Sequence, residues 1–380
     1  MKILFYINDV PPRYGGGYLR VLKIASRMKQ RGLFFKVATT TPKAEYKEVF
    51  GLNNDDLFFD SNLLYHLVLF PLYMIMQRNK FSTLYIASSH WFTLIPTLIA
   101  HFLRKKVIIG ITLSKSDSPA LRSSNRIKQM YYDIKNYQFK YADKVFVNSE
   151  LLVTECRMCN IKEEQIALVN NPVDLDKFHP ISAEEKVSLK IELDIHSDKP
   201  IVLFVGAISY RKGVDLIPKI FLDYFKKGGK ELCFIICGNS GYPESESLKD
   251  SIYKILNENN SDFIVREKVP NTNNYYQIAD VFLFPTTNEG MPNVVLEAMA
   301  SECKILCNKL DGITDYILPK SCLCDNGNIS TYSSSMLAFF RNPNLFKSEL
   351  CKNKKRIVED FEMSSVDQQI IRYCSKKQTK

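Results

Sequence analysis

Short apolar runs that recur between helical segments constrain the fold of this 380-residue chain more than any other feature. Apolar runs of this length predict buried strands, and strands that alternate with helices predict a parallel sheet covered by helices. The alternation occurs twice, on either side of a charged, proline-containing stretch at about 171–199. The runs are KILFYI, FKVATT, TLYIAS, KVIIGITL and KVFVNS before this stretch, and IVLFVGAI, LCFIICG, DFIVREK, DVFLFPT and KILCN after it.

The restart of the pattern predicts two α/β domains of the Rossmann-like type, because a chain of this length exceeds the usual size of one hydrophobic core. We place the first domain at residues 1–180 and the second at 181–360. Residues 361–380 form a predicted C-terminal helix, which is a candidate to cross back to the first domain.

The charge balance favours anionic partners, since 51 Lys and Arg residues exceed 41 Asp and Glu residues and give a net charge of +10. Nucleic acid, phosphorylated small molecules and an anionic membrane face all fit this sign. Ten scattered cysteines, and an N-terminus without a signal-peptide pattern, predict a cytoplasmic location.

One long apolar stretch, 62–77, is interrupted by His66 and Pro71 and is shorter than the roughly 20 residues of a spanning helix. A buried helix is one interpretation. The other is a face lying on the membrane, together with the basic sequence FLRKK at 102–106, which would place the protein peripherally at the inner face of the cell membrane.

Two loops after predicted strands carry residue types suited to phosphate. Gly15, Gly16 and Gly17 precede a helical pattern, where backbone amides can approach an anion closely, although a flexible turn explains them equally well. In the second domain, Arg211 and Lys212 follow the strand IVLFVGAI at the predicted start of the next helix. Two cations there suit a diphosphate, and a solvated surface pair is the alternative.

The sequence NEGMPNVVLEAMA, residues 288–300, places Glu289 and Glu297 around a predicted junction between strand and helix. Gly290 allows close approach of the backbone, and Pro292 suits a first helical turn, where its missing N–H costs nothing. Carboxylates that accept hydrogen bonds from sugar hydroxyls are ordinary recognition groups, whereas two solvated acids are the simpler explanation.

These motifs together resemble a known family. NEGMPNVVLEAMA is similar to the Glu-x7-Glu signature of family four of the nucleotide-sugar glycosyltransferases with the GT-B fold, the group 1 type. FVGAISYRKG resembles the family's Arg-Lys-Gly phosphate loop, NNPVDLDKFHP its Asn-Gly-Val-Asp motif, and VFVNSE its strand-Asn-Ser element. The resemblance implies a GT-B fold, in which two Rossmann-like domains face a central cleft.

The resemblance also implies roles for particular residues. The catalytic group would be Glu289, Arg211 and Lys212, with Glu289 on the transferred sugar and the two cations on the diphosphate, while Glu297 would bind the ribose. The acceptor would occupy the N-terminal side of the cleft, and transfer would retain the anomeric configuration. Further donor contacts would come from Gly15, Gly16, Gly17, Gly290, Met291, Pro292, Asn293 and Val294.

The sequence departs from the family on the acceptor side, since Thr112 stands where many relatives have a histidine. His90, at the end of a predicted strand, is another acceptor-side candidate, and an uninvolved histidine is the alternative. Asp174 and Asp176 have the spacing of a metal-binding pair, but a turn or cap is favoured over a metal ligand.

We therefore expect a retaining hexosyltransferase that moves a sugar from a nucleoside-diphosphate sugar to a glycan or lipid-linked acceptor in polysaccharide or glycoconjugate biosynthesis. No metal and no cofactor are expected, because the two cations can neutralise the leaving diphosphate. The alternatives are a nucleotide-sugar epimerase of the same architecture and a basic nucleic-acid-binding protein, although no recognition module accompanies the basic residues.

Overall fold

The computed structural model describes residues 1–7, 16–39, 50–59, 65–113, 118–267, 269, 271–325 and 327–375. The chain divides into two compact units. The first unit comprises Met1–Asn171 and Val366–Lys380, and the second comprises Pro172–Ser365. The first boundary thus precedes the predicted one at 180.

The first unit is built on a parallel sheet, as the alternating pattern predicted. Its strands are β1 Ile3–Tyr6, β2 Phe34–Thr39, β3 Leu57–Phe59, β4 Thr83–Ile86, β5 Lys106–Ile111, β6 Lys144–Val147 and β7 Ile166–Leu168. Its helices up to the boundary are α1 Gly16–Gln30, α2 Phe70–Met76, α3 Leu94–Phe102, α4 Arg126–Tyr137 and α5 Glu150–Met158. In the described residues, the strand order is β3-β2-β1-β4-β5-β6-β7 and all neighbours are parallel.

Helices cover both faces of this sheet, which explains why its central strands are buried and apolar. On one face, α1 contributes Val21, Leu22 and Ala25, whose spacing places them on one side of a helix. On the other face, Phe70 of α2, Ala100 of α3 and residues of α5 join a second apolar cluster.

The second unit repeats the architecture. Its strands are β8 Ile201–Val205, β9 Cys233–Cys237, β10 Asp262–Arg266, β11 Val281–Phe284, β12 Lys304–Asn308 and β13 Leu323–Cys324. Its helices are α6 Ala183–Glu192, α7 Ile217–Lys226, α8 Ser245–Asn257, α9 Asn273–Ile278, α10 Asn293–Ala300, α11 Thr314–Ile317, α12 Ile329–Arg341 and α13 Lys347–Arg356. The strand order in the described residues is β10-β9-β8-β11-β12-β13, again parallel.

Helix α6 lies inside the stretch that the sequence pattern indicated as a connection between domains. Its start is fixed by a capping box, in which the Ser182 side chain accepts from the N–H of Glu185 and the Glu185 carboxylate accepts from the N–H of Ser182. This S-x-x-E pattern is readable in the sequence and satisfies two amides that a helix start leaves without partners.

The last helix, α14 Met363–Ser375, places a carboxylate inside the first unit. Asp367 is buried and pairs with Nε of Arg27 at 2.7 Å and with Nη2 of Arg31 at 3.3 Å. Both arginines lie on or directly after α1. This buried carboxylate between two guanidinium groups connects α14 to α1.

We predict that Asp367→Ala destabilises the first unit by about 3–5 kcal/mol, because it leaves a buried guanidinium without its counter-charge. Thermal unfolding followed by calorimetry measures the loss. Glu163→Ala is the control, since it removes the exposed partner of Arg157 and should leave unfolding unchanged. Equal unfolding temperatures for the Asp367 variant and the wild type would contradict this assignment.

No helix in the part of the chain that the structure describes is long and apolar enough to cross a lipid bilayer.

Candidate active site

The strand order of the second unit identifies where a ligand can bind. From β8 the chain proceeds to β9 on one side of the sheet, and later to β11 on the other side. Ligands of open α/β sheets bind at the carboxyl ends of the strands where the order reverses in this way. The loops that follow β8 and β11 meet there, and they carry Arg211, Lys212 and Glu289.

The loop after β8 differs from its prediction in one respect. Arg211 and Lys212 do not open the next helix but lie in a 3-10 turn, Tyr210–Lys212, and α7 begins only at Ile217. Gly213 ends the turn with φ of +71°, and a Cβ atom there would lie 1.9 Å from the carbonyl oxygen of Pro285. Glycine is required at this position because the loop packs directly on the segment that follows β11.

The centre of the site is an ion pair between two of the predicted residues. Nζ of Lys212 contacts Oε1 of Glu289, which also accepts a hydrogen bond from the Thr286 hydroxyl at 3.0 Å. The two charged side chains are only 14% and 12% exposed, and the ammonium also lies 5.1 Å from the ring centre of Phe284. Partial burial strengthens their interaction relative to a surface pair.

Arg211 is held less tightly than Lys212. Its side chain is 49% exposed, and Nη1 donates to the carbonyl of Asn288 at 3.1 Å and lies 3.8 Å from Oε1 of Glu289. Its own carbonyl accepts from the Thr287 amide at 3.1 Å and from the Thr287 hydroxyl at 3.0 Å. The backbone of the cationic loop is therefore fixed while the guanidinium remains accessible.

The segment between Glu289 and α10 is buried at Gly290, Met291 and Pro292, and the helix begins at Asn293. Pro292 is the residue that caps the helix rather than a member of its first turn, which its fixed φ of −76° allows. Amides at the start of a helix have no acceptor within the helix and are oriented toward anionic or hydroxyl ligands.

Glu297 lies in the second turn of α10, beside the hydroxyl of Tyr276. Burial, together with the Glu297 carboxylate, raises the pKa of Tyr276 well above its ordinary value. This tyrosine stays protonated at neutral pH, and its buried hydroxyl makes no hydrogen bond within the part of the chain that the structure describes. Its position beside Glu297 was not predicted from the sequence, because the tyrosine comes from α9.

A second group of residues absent from the prediction supports the loop after β11. Asn308 ends β12, is buried, and donates from Nδ2 to the carbonyls of Pro285 at 3.0 Å and Thr286 at 2.9 Å. The hydroxyl of buried Tyr332 donates to Oδ1 of Asn308 at 2.8 Å. The available sequence signal was a polar residue, Asn308, directly after the three apolar residues of the run KILCN.

The remaining candidates belong to the first unit. Gly15 lies outside the described residues, while Gly16 and Gly17 form the beginning of α1. Thr112 directly follows β5, and His90 lies four residues after β4. Because β4 and β5 are parallel neighbours, both residues lie near the carboxyl edge of this sheet.

His90 is held by its backbone, whose N–H donates to the Thr93 hydroxyl at 3.0 Å and whose carbonyl accepts from Nε2 of Gln138 at 3.0 Å. Its ring stacks on Phe92 with 5.0 Å between ring centres. Burial, and then the charge of Lys135, lower the pKa of His90 to about 4. The imidazole is therefore neutral at physiological pH, where it can take part in hydrogen bonds but carries no positive charge.

Asp174 forms a turn, as predicted, since its Oδ1 accepts from the Asp176 amide at 3.2 Å and its carbonyl accepts from the Phe178 amide at 2.9 Å. In the described residues, no group of three or more His, Cys, Asp or Glu side chains is placed to share a metal ion.

Comparison with known proteins relates these features to a family. Residues 186–357 match the family model of the glycosyl transferases group 1. The chain is 25% identical over 186 residues to an alpha-galactosylglucosyldiacylglycerol synthase of Streptococcus pneumoniae, covering 47% of this chain and 48% of that protein. It is 23% identical over 204 residues to the capsular polysaccharide biosynthesis glycosyltransferase CapM of Staphylococcus aureus, covering 53% and 48%. The chain thus spans about half the length of these curated relatives.

Among solved structures, the Anabaena protein HepE in complex with UDP and glucose superimposes with a TM-score of 0.75 at 15% identity, over 99% of this chain and 100% of that one. At this level of identity the likeness concerns the fold, which is the two-domain GT-B fold. The family match shows that residues 186–357 form a domain of the glycosyl transferases group 1 family, and the structural match shows that the chain has the GT-B fold.

Proposed function

We propose that the protein is a retaining glycosyltransferase that moves a sugar from a nucleoside-diphosphate sugar to a glycan or lipid-linked acceptor. The observation that carries the proposal is the partly buried cluster of Lys212, Glu289 and Thr286 where the strand order of the second unit reverses. A cation and a carboxylate side by side suit a substrate in which an anionic diphosphate is joined to a hydroxyl-rich sugar.

Lys212 of this cluster and the neighbouring Arg211 would neutralise the diphosphate as it leaves. Electrostatic groups that are already in place when charge develops stabilise a transition state without reorganisation. We propose that these cations make a metal ion unnecessary. Glu289 would then accept hydrogen bonds from the sugar, and Glu297 would accept them from the ribose.

The acceptor and the location are also proposals. The Streptococcus relative is named for a glycolipid product and the Staphylococcus relative for capsular polysaccharide, which supports a glycan or lipid-linked acceptor in glycoconjugate assembly. All ten cysteines are free and eight of them are buried, which suits the reducing cytoplasm. We propose that the protein acts there, peripherally at the inner face of the cell membrane, with His90 and Thr112 on the acceptor side.

A thermal-shift panel of UDP, GDP, ADP and their sugars tests donor binding. A nucleotide at 100 times its dissociation constant should stabilise the protein by about 2.7 kcal/mol, and one base should be preferred. Lys199→Ala serves as the charge control, because Lys199 precedes β8 and lies at the opposite end of that strand. If no nucleotide in the panel raises the unfolding temperature, the proposal is wrong.

Analysis of the products separates transfer from epimerisation. A transferase converts the preferred donor to nucleoside diphosphate in the presence of an acceptor extract, and NMR of the product should show the anomeric configuration of the donor. An epimerase would instead change the sugar with no acceptor present. Inversion at the anomeric carbon would overturn the retaining mechanism while leaving transfer intact.

A further inference from the structure

Three neighbouring helices of the first unit carry apolar side chains on their outward sides. Helix α2 packs against α3, and α3 packs against α4. The inward sides of α2 and α3 share one core, to which they contribute Phe70, Met74 and Ala100. The exposed large apolar side chains on these helices and on the turn before α2 are Val68, Leu69, Leu72, Ile75, Met76, Phe102, Ile127, Met130, Ile134 and Tyr137. We name this set the α2–α4 face.

The spacing of these residues makes continuous stripes rather than scattered exposure. On α4 they recur at positions 127, 130, 134 and 137, which is the three-and-four spacing of one helix side. Positions 69, 72 and 76 repeat it from the turn before α2 to the end of that helix. Single exposed apolar residues are normal, but contiguous patches of this kind mark surfaces that contact another body.

The charge of this segment indicates which kind of partner the α2–α4 face fits. Between residues 65 and 141 the sequence has eleven Lys and Arg residues against two Asp residues and no Glu, although the whole chain has a net charge of only +10. In the described part of this segment, the single exposed acid is Asp133. The exposed cations are Arg78, Lys80, Arg104, Arg122, Arg126, Lys128 and Lys140.

The cations follow or flank the apolar stripes. Arg78 and Lys80 lie two and four residues after α2, Arg104 two residues after α3, and Lys140 three residues after α4. Apolar side chains with basic neighbours are the composition of a surface that lies in the interfacial region of an anionic bilayer, where acyl chains receive the apolar groups and phosphates receive the cations.

We propose that the α2–α4 face docks in the plane of an anionic lipid bilayer, with α4 as a contact element equal in importance to α2 and α3. A second copy of this chain is a poorer occupant, because two such faces would oppose seven exposed cations with seven more. The inference deepens the proposed function, on which it rests only in that a lipid-linked acceptor would be met at such a surface.

Vesicle flotation tests the proposal. The triple variant Met76→Glu, Phe102→Glu, Ile127→Glu introduces acids at sites of high exposure, up to 85% at Phe102. The matched control, Val187→Glu, Ile191→Glu, Leu345→Glu, makes the same change at exposed apolar sites of the second unit, up to 74% at Leu345. Wild type and both variants are mixed with vesicles of phosphatidylcholine alone or with phosphatidylglycerol, at low and high salt.

We expect wild type and control to float with phosphatidylglycerol vesicles at low salt, less at high salt, and the α2–α4 variant to partition about tenfold less. Equal flotation of the two variants, or no flotation of wild type, would overturn the proposal. Light scattering that shows wild type as a dimer and the α2–α4 variant as a monomer would also overturn it in favour of a second copy.

The nucleotide thermal shift, measured on the same samples, keeps this test separate from the proposed function. Both variants should retain the shift of the wild type, since none of the six positions lies in the loops after β8 and β11. Flotation without any nucleotide shift would support the docking surface while removing the transferase proposal. A nucleotide shift without flotation would support the transferase proposal and overturn the docking surface.

Discussion

Lys212→Ala is expected to lower kcat by about 100–1000-fold with the correct donor and acceptor, equivalent to about 2.7–4 kcal/mol of transition-state stabilisation. The ammonium is only 14% exposed and fixed between Glu289 and the ring of Phe284. Solvent replaces a partly buried ammonium poorly, so part of the charge that develops on the leaving diphosphate would be left without compensation.

Arg211→Ala should have a smaller effect than Lys212→Ala, because the guanidinium is half exposed and solvent can partly replace it. Steady-state kinetics of both variants, with Lys199→Ala as the charge control, measure the order of the effects. Circular dichroism verifies that each variant is folded. Wild-type turnover in the Lys212 variant would show that the loop after β8 does not contact the diphosphate.

Glu289→Gln and Glu297→Gln are expected to impair different properties of the enzyme, turnover in the first and nucleotide affinity in the second. Glu297→Gln should weaken the donor and the free nucleoside diphosphate by comparable factors, because the proposed contact is with the ribose, which both ligands contain. Glu289→Gln should lower turnover more than donor affinity, since contacts with the transferred sugar can tighten as its bond breaks.

The ion pair with Lys212 predicts a further effect of the Glu289 substitution. Its carboxylate neutralises Lys212 in the free protein, so Glu289→Gln leaves the ammonium without this partner and should preserve or increase affinity for free nucleoside diphosphate. The double variant with Lys212→Ala should be non-additive, because the two side chains are in contact. Calorimetry with nucleotide and donor, beside kinetics, separates the effects. Loss of nucleotide affinity in the Glu289 variant alone would reverse the two assignments.

The sequence predicted the central strands well because each is a continuous apolar run bounded by polar turns. All ten predicted runs contain a strand, from KILFYI at β1 to KILCN at β12. The strands that were not predicted, β3, β7 and β13, are two or three residues long and lie at or near sheet edges. Such short segments have too few residues to show a period.

The sequence located candidate residues in the loops after predicted strands, but it did not show which of their side chains contact each other. Arg211, Lys212 and Glu289 follow β8 and β11, and the strand order brings these loops together. Three features join segments that are distant in sequence. They are the contact between Lys212 and Glu289, the hydrogen bonds from Asn308 to the loop after β11, and the position of Tyr276 beside Glu297. Periodicity within one segment carries no information about such contacts.

A crystal structure of the whole protein with the nucleotide that gives the largest thermal shift tests the central claim most directly. We predict a phosphate oxygen within hydrogen-bonding distance, about 2.7–3.0 Å, of Nζ of Lys212 and a ribose hydroxyl at the carboxylate of Glu297. The Lys212–Glu289 contact should lengthen as the ammonium turns to the phosphate. A nucleotide bound away from the loops after β8 and β11, with that ion pair undisturbed, would contradict the account.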